Sequence, residues 1–197
     1  MIKEAAKPWI DDEWYQKPVF DICPFFVNGL TEIKLVGCSG LSKLCLRELA
    51  ALTALDVSHC VALRGLTLSE LPQLHKLYGL DKSCFRACLT VELDRLDRLT
   101  ELDLGMCATL RSLTICQVPR LAALLLGGGL ATLRLEMLPA IAALDLSGCL
   151  GLQTLTLHAI GGAIPCVVRG LLACTALHSV AADGLDARDG SPHLNRD

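Results

Sequence analysis

The chain has 197 residues, of which 52% are hydrophobic, and its 18 basic and 21 acidic residues leave a net charge of −3 at pH 7. No block of like charge occurs, which argues against a direct nucleic-acid site, because such a surface normally shows clustered lysine and arginine. The longest apolar stretch, residues 121–133, is interrupted by three glycines and is too short to span a bilayer, so we expect no membrane span.

The cysteines indicate a compartment. There are eleven of them, an odd number, and most recur at one position of a repeat rather than in a disulfide framework. We therefore expect reduced thiols in an intracellular, reducing compartment, with the cytoplasm or the cytoskeleton favoured. The N-terminus is charged and lacks an apolar segment, so no secretory signal is expected.

Residues 1–29 stand outside the repeat and hold six of the eight aromatic residues in the chain. One interpretation is a cap that covers the first coil of a stack, because an end coil exposes its apolar core. The other is a docking arm that binds another subunit through Trp9, Trp14 and Tyr15, since such side chains are effective interface anchors. The two interpretations are compatible, and both are kept.

From residue 30 to residue 160 the sequence alternates two phrases built on Leu-x-Leu, an alternation that buries one face of a short strand. We name the strands that are followed by cysteine type A and the others type B. Type A strands begin their inward positions at Ile33, Leu55, Leu77, Leu102, Leu124 and Leu144, and type B strands at Leu44, Leu66, Val91, Leu113, Leu133 and Leu155. The two series interleave throughout, mostly in steps of 22 residues, so one coil contains one strand of each type.

Two coils depart from this length. The step is 25 residues at the coil that includes residues 77–91, which predicts a small insertion there. It is 20 residues where Gly127, Gly128 and Gly129 follow a type A strand. We expect these glycines to close a tighter turn by adopting positive φ, which costs glycine nothing sterically.

Cys38, Cys60, Cys107 and Cys149 each follow a type A strand and precede x-x-Leu. The pattern Leu-x-x-Leu-x-Leu-x-x-Cys-x-x-Leu resembles that of leucine-rich repeat proteins, over about two thirds of the chain. The resemblance implies a right-handed, mainly β repeat solenoid with a parallel sheet on the type A side. The return segment of this family is usually a helix or irregular, but here it repeats Leu-x-Leu, as at Leu113 and Ile115, so we expect short extended segments on the type B side. Little helix is expected except near the C-terminus, and the family implies a scaffold rather than a particular function.

After residue 160 the register dissolves. Residues 161–182 predict either a degenerate last coil, because Cys174 is followed by x-x-Leu177, or a capping helix that begins near Pro165. Residues 183–197 are polar and contain glycine and proline, which is typical of a loose tail.

The sequence predicts no catalytic residue, no cofactor and no metal site. The cysteine column places one thiol on each coil, whereas structural zinc needs four ligands that converge, so small buried side chains filling a turn are the favoured interpretation. The five histidines are scattered over different coils, and His59 and Cys60 are neighbours in a strand-like segment, whose side chains point to opposite faces.

The outward residues of the type A strands carry the candidate binding site. At the x of Leu-x-Leu they read Lys34, Asp56, Tyr78, Asp103, Leu125 and Asp145. This row mixes acids with an aromatic and an exposed leucine, as a contact surface does. The matching type B row is rich in threonine and is interpreted as a solvated back. An ice-binding threonine array is disfavoured because Glu92 and Arg134 interrupt it.

These observations predict a non-enzymatic protein–protein interaction scaffold, a structural subunit of a larger intracellular, multi-subunit assembly. The alternative is a regulatory target-recognition module, such as the target-binding part of a ubiquitin-ligase adaptor. An adaptor needs a second element that recruits the ligase, and residues 1–29 are short for one.

Overall fold

The computed structural model describes residues 19–22, 29–80, 87–162 and 166–182, the first of these ranges by its backbone alone. It is a mainly β solenoid of parallel strands in which each coil contributes one strand to each of two sides. The predicted fold class is confirmed.

The type B strands form one continuous eight-stranded parallel sheet in sequence order. They are β1 (Val19–Ile22), β3 (Lys43–Arg47), β5 (Gly65–Ser69), β7 (Thr90–Asp94), β9 (Ser112–Cys116), β11 (Thr132–Leu138), β13 (Thr154–Ile160) and β15 (Ser179–Ala182). The predicted register holds across the insertion, because Val91 pairs with Leu66 on one side and with Leu113 on the other.

The type A strands are three residues long and form three small parallel sheets. These sheets comprise β2 (Glu32–Lys34), β4 (Ala54–Asp56) and β6 (Lys76–Tyr78), then β8 (Glu101–Asp103) and β10 (Ala123–Leu125), then β12 (Ala143–Asp145) and β14 (Val167–Arg169). The prediction that the type A side carries the continuous sheet is therefore wrong. The sheet is interrupted between β6 and β8, where the coil is longer than usual, and between β10 and β12, where it is shorter. The extra or missing residues come directly after β6 and β10, so they interrupt the pairing of type A strands and leave the type B sheet continuous.

The sheet extends beyond the expected repeat at both ends. At the N-terminal end β1 pairs with β3, so four residues of the predicted arm form a strand of the type B sheet. At the C-terminal end β14 pairs with β12 and β15 pairs with β13, so residues 166–182 form another coil. The part of the chain that the structure describes contains one helical segment, the short 3-10 helix Leu171–Ala173 in this last coil.

Columns of leucine, isoleucine and valine fill the space between the two sides, and the described residues include no buried polar or charged side chain. The inward positions of both strand types contribute to this one core. Each fully buried side chain of this kind stabilises the fold by about 1.5–3 kcal/mol. No single coil encloses its own core, so each coil depends on its neighbours.

Six successive coils carry a left-handed residue near the end of the type B strand, directly after it in four coils and one residue before its end in β11 and β13. These residues have φ between 50° and 56° and are Glu48, Glu70, Arg95, Gln117, Met137 and Ala159. The residue that follows each of them is apolar and buried, as Val118 is after Gln117. The left-handed turn therefore redirects the chain so that the next side chain also points into the core, at the cost of a conformation that side chains disfavour.

The three consecutive glycines behave differently from the prediction. None of them has a left-handed φ. Their backbone instead lies directly against the preceding coil: a Cβ on Gly129 would lie 2.0 Å from the carbonyl oxygen of Ala108, and one on Gly127 would lie 2.8 Å from that of Leu104. Glycine is needed here because two backbones approach closely, and the expected positive φ is wrong.

Candidate functional site

Four of the cysteines that follow type A strands contact the backbone of the coil before their own. The thiol of Cys60 donates to the carbonyl oxygen of Leu35 at 3.0 Å, and the thiol of Cys107 donates to that of Leu80 at 3.6 Å. Cys149 and Cys174 repeat this contact with Gly127 at 3.7 Å and with Leu146 at 3.6 Å. The thiols therefore satisfy backbone carbonyls at successive corners, which is a structural role.

The same burial makes these thiols poor nucleophiles. Burial raises the pKa of Cys88 to about 12 and the pKa of Cys107 and Cys149 to about 11. A thiolate is therefore scarce at neutral pH. All nine cysteines among the described residues are free, and no group of three or more potential metal ligands occurs among those residues.

The repeat signature, the in-register parallel strands and this column of thiols describe the same coil of about 22 residues. The chain therefore folds as a leucine-rich-repeat-like solenoid of parallel strands. No family model matches its sequence, and no curated protein matches it.

Two solved structures are similar to this solenoid. The leucine-rich repeat domain of the type III effector XopL shares 15% identity with a TM-score of 0.45, over 88% of this chain and 80% of that one. A leucine rich cell surface protein from Faecalibacterium prausnitzii A2-165 shares 14% identity with a TM-score of 0.35, over 86% of this chain and 48% of that one. Both similarities are too distant to indicate what this solenoid binds.

The structure aligns the predicted type A row in three segments that match its three small sheets. Lys34, Asp56 and Tyr78 pair in register, as do Asp103 and Leu125. Asp145 pairs with Arg169 of the last coil. Trp9, Trp14 and Tyr15 lie outside the described residues, so the role predicted for them stays a prediction.

The aspartates of this row have a local structural role that the sequence analysis did not identify. One carboxylate oxygen of each accepts the backbone N–H two residues ahead, at 2.9 Å: Asp56 from Ser58, Asp103 from Gly105, and Asp145 from Ser147. This hydrogen bond is that of an Asx turn. It explains why aspartate occurs just before the turn, and no binding partner is needed to explain it. The hydrogen bonds from Ser147 hold the pKa of Asp145 below its usual range. Lys34 is also engaged locally, since its Nζ lies 3.0 Å from Oε1 of Glu32.

Tyr78 and Leu125 form the other part of the row and are not explained in this way. Their side chains are 48% and 58% exposed. Both line a groove of about 740 Å³ on the type A side, at the break between β6 and β8. Its lining includes Leu77, which is only partly buried. The break between the small sheets therefore opens a concave apolar surface.

The groove also contains residues that the sequence analysis missed. Met106 is 58% exposed and lines the groove from the turn after β8. A sequence signal was present, because the same turn position holds Gly37, His59 or Gly148 in other coils, and methionine is the exception. Glu101 and Asp103 of β8 line the groove beside it, with His75 and Lys76 on the side of β6.

The continuous type B sheet presents a different surface. The middle row of this sheet reads Cys45, Thr67, Glu92, Thr114, Arg134 and Thr156. Cys45 is buried, unlike the other members of the row. The charged members have partners on the same face: Nε of Arg134 lies 2.8 Å from Oε1 of Glu136, and Thr67 donates to Glu92 at 3.5 Å. This face is polar and internally paired.

Among the residues that the structure describes, none forms a helix with the length and apolar character that a membrane span requires.

Proposed function

We propose that this solenoid is a non-enzymatic protein-interaction scaffold and that the groove between β6 and β8 is its binding surface. The observation that carries the proposal is the grouping of exposed Tyr78, Met106 and Leu125 around one concave site. Monomeric proteins rarely expose large apolar side chains together unless the patch binds something. Tyrosine and methionine are also enriched at the centres of interfaces.

The charges at the groove differ between its two sides, because Lys76 lies on the side of β6 and two acidic residues lie on the side of β8. Glu101 and Asp103 lie beside the apolar residues on the wall formed by β8. Complementary charge fixes the register of a bound segment more than it adds affinity. We propose an extended protein segment that inserts one apolar side chain between Tyr78 and Leu125 and places a lysine or arginine next to the acidic pair. The partner belongs to a larger intracellular assembly in which the solenoid is a structural subunit. The described residues offer no separate support for the target-recognition alternative.

A peptide selection tests the groove directly. Random peptides of about twelve residues are selected on the immobilised full chain and then depleted on a Tyr78→Ala, Leu125→Ala double variant. Enriched peptides should carry an apolar residue beside a basic one, and each single substitution should weaken their binding by about tenfold or more, as expected for a buried anchor.

Leu150→Ala supplies the matched control, because Leu150 is 60% exposed and does not line the groove. It should leave peptide binding unchanged. Enriched peptides that bind the groove variants as tightly as the original chain would contradict the proposal, and so would equal losses for Leu150→Ala.

The N-terminal arm has its own test. Deleting residues 1–16 leaves β1 in place, since that strand begins at Val19. If the arm docks a partner, the deletion should reduce co-purification at an unchanged melting temperature. If the arm caps the stack, the melting temperature should fall.

A further inference from the structure

Four histidine, lysine or acidic side chains line the groove between β6 and β8, and two of them have local partners. Nδ1 of His75 lies 3.0 Å from a backbone carbonyl oxygen two residues earlier, and a carboxylate oxygen of Asp103 accepts the N–H two residues ahead at 2.9 Å. The other two, Lys76 and Glu101, are exposed. Within the described ranges of the chain, neither of these two side chains has a hydrogen bond or an ion pair.

Lys76 and Glu101 occupy equivalent positions on the two sides of the groove, since each begins a type A strand. In a continuous parallel sheet such residues lie about 4.8 Å apart, and side chains of opposite charge reach each other. The backbone N–H of Lys76 donates to the carbonyl of Thr53 in the coil before it at 3.2 Å, whereas the equivalent bond from Glu101 to the carbonyl of His75 is absent between these described residues. The interrupted sheet therefore holds a positive and a negative charge apart across the groove.

The charged residues at the other outward positions of the type A strands have neighbours within the chain. Nζ of Lys34 lies 3.0 Å from Oε1 of Glu32, and Asp56 and Asp145 accept backbone N–H groups at 2.9 Å. Arg169 stands in register beside Asp145. Lys76 and Glu101 differ from all of these, because the groove separates them and apolar side chains lie beside them. Charges placed in this way act on whatever segment enters the groove.

We propose that Lys76 and Glu101 determine which segments the groove accepts, and that the partner segment is of mixed charge. Its acidic residue pairs with Lys76, its lysine or arginine pairs with Glu101, and its apolar residue lies between Tyr78 and Leu125. This inference rests on the proposed function of the groove and narrows the partner from a basic segment to a mixed-charge one. Exchanging the two charges of the segment would bring like charges together, so the pair also fixes the direction in which the segment binds.

Exchanging the charges on the full chain tests this proposal. The probes are a peptide selected on the groove and a second peptide in which its acidic and basic residues are exchanged. Fluorescence anisotropy measures both dissociation constants. Lys76→Glu and Glu101→Lys should each weaken binding of the selected peptide by about tenfold, because each replaces an attraction by a repulsion. The double variant Lys76→Glu, Glu101→Lys keeps the net charge of the chain and should prefer the exchanged peptide by about tenfold.

Lys43→Glu is the matched control, since it makes the same change at an exposed lysine of β3 on the type B side. It should leave both dissociation constants unchanged. Circular dichroism verifies that each variant folds. Lys76→Gln, which removes the charge without adding another, should give a smaller loss in the same direction as Lys76→Glu.

A double variant that still prefers the selected peptide would overturn the proposal, and so would selected peptides without an acidic residue or an equal loss for Lys43→Glu. Binding that falls with Tyr78→Ala but not with Lys76→Glu would overturn this inference alone and leave the groove as the binding surface. Binding that responds to neither substitution would overturn the proposed function as well.

Discussion

The close contact between consecutive coils at the triple glycine makes a sharp prediction for Gly129→Ala. The added Cβ would lie 2.0 Å from the carbonyl oxygen of Ala108 and 3.0 Å from that of Leu110. The backbone nearby is held in place, because the N–H of Ala131 donates to the carbonyl of Arg111 at 2.9 Å. Relieving the overlap therefore requires separating the coils. Overpacking of this kind costs about 1–3 kcal/mol, and each weakened backbone hydrogen bond adds about 1 kcal/mol.

The expected loss in free energy of unfolding is therefore about 2–4 kcal/mol. Gly148→Ala is the matched control, since a Cβ there would meet nothing within 4 Å and Gly148 has no left-handed φ. The control should be neutral or more stable by about 0.4–1 kcal/mol, because alanine restricts the unfolded chain. Urea unfolding followed by far-ultraviolet circular dichroism, under reducing conditions, measures both variants. Stabilities of the two variants that agree within about 0.5 kcal/mol would refute the direct contact between these coils.

Four further predictions address the core, the thiols, the strand ends and the Asx turns. Leu113→Ala should lower the free energy of unfolding by about 2–5 kcal/mol, because this leucine is fully buried, and a loss below about 0.5 kcal/mol in urea unfolding would show that the register is wrong. Burial raises the pKa of Cys107 to about 11, so its thiol should resist iodoacetamide in the folded chain and react after unfolding, as read by mass spectrometry; equal labelling in both states would contradict its burial. Gln117→Val should be less stable than Gln117→Gly by about 1–2 kcal/mol in urea, because Gln117 has a φ of 54°, and equal stabilities would argue against the left-handed turn. The pKa of Asp145 is depressed in the folded state by its hydrogen bonds, so its contribution to stability is present above the ordinary carboxyl pKa and is lost as pH falls through the folded value. The stability advantage of the unaltered chain over Asp145→Asn should therefore begin to shrink near about pH 4 and vanish only below the folded pKa, and an advantage that stays constant on acidification would contradict the assignment.

The sequence was sufficient to predict which residues point inward. Period-two alternation reports the face of a strand, and Leu44, Leu66 and Val91 pair in register at buried positions as predicted. The same alternation says little about strand length or about the spacing of coils. It could not show that the type B strands form the continuous sheet while the type A ladder breaks at the coils of irregular length.

The candidate site was predicted only in part, for a related reason. A row of outward residues can be read from the sequence, but the contribution of each residue depends on what lies two residues ahead or one coil away. Asp103 accepts a hydrogen bond from the N–H of Gly105. The residue pattern alone does not show that this local bond, rather than a partner contact, accounts for the aspartate. Tyr78 and Leu125 come together with Met106 because the small sheets separate after β6, and that separation is a property of the stacked coils.

Site-specific photo-crosslinking in the cells that produce the protein tests the central proposal, binding through the groove, most directly. A photoreactive phenylalanine analogue replaces Leu125 in the groove in one variant and Thr156 on the type B sheet in another, both of them outward positions. We predict that position 125 yields one protein adduct in constant proportion and that an excess of a groove-selected peptide abolishes it, while position 156 yields none. An adduct from position 156 without one from position 125 would place the interface on the type B side and contradict the proposal.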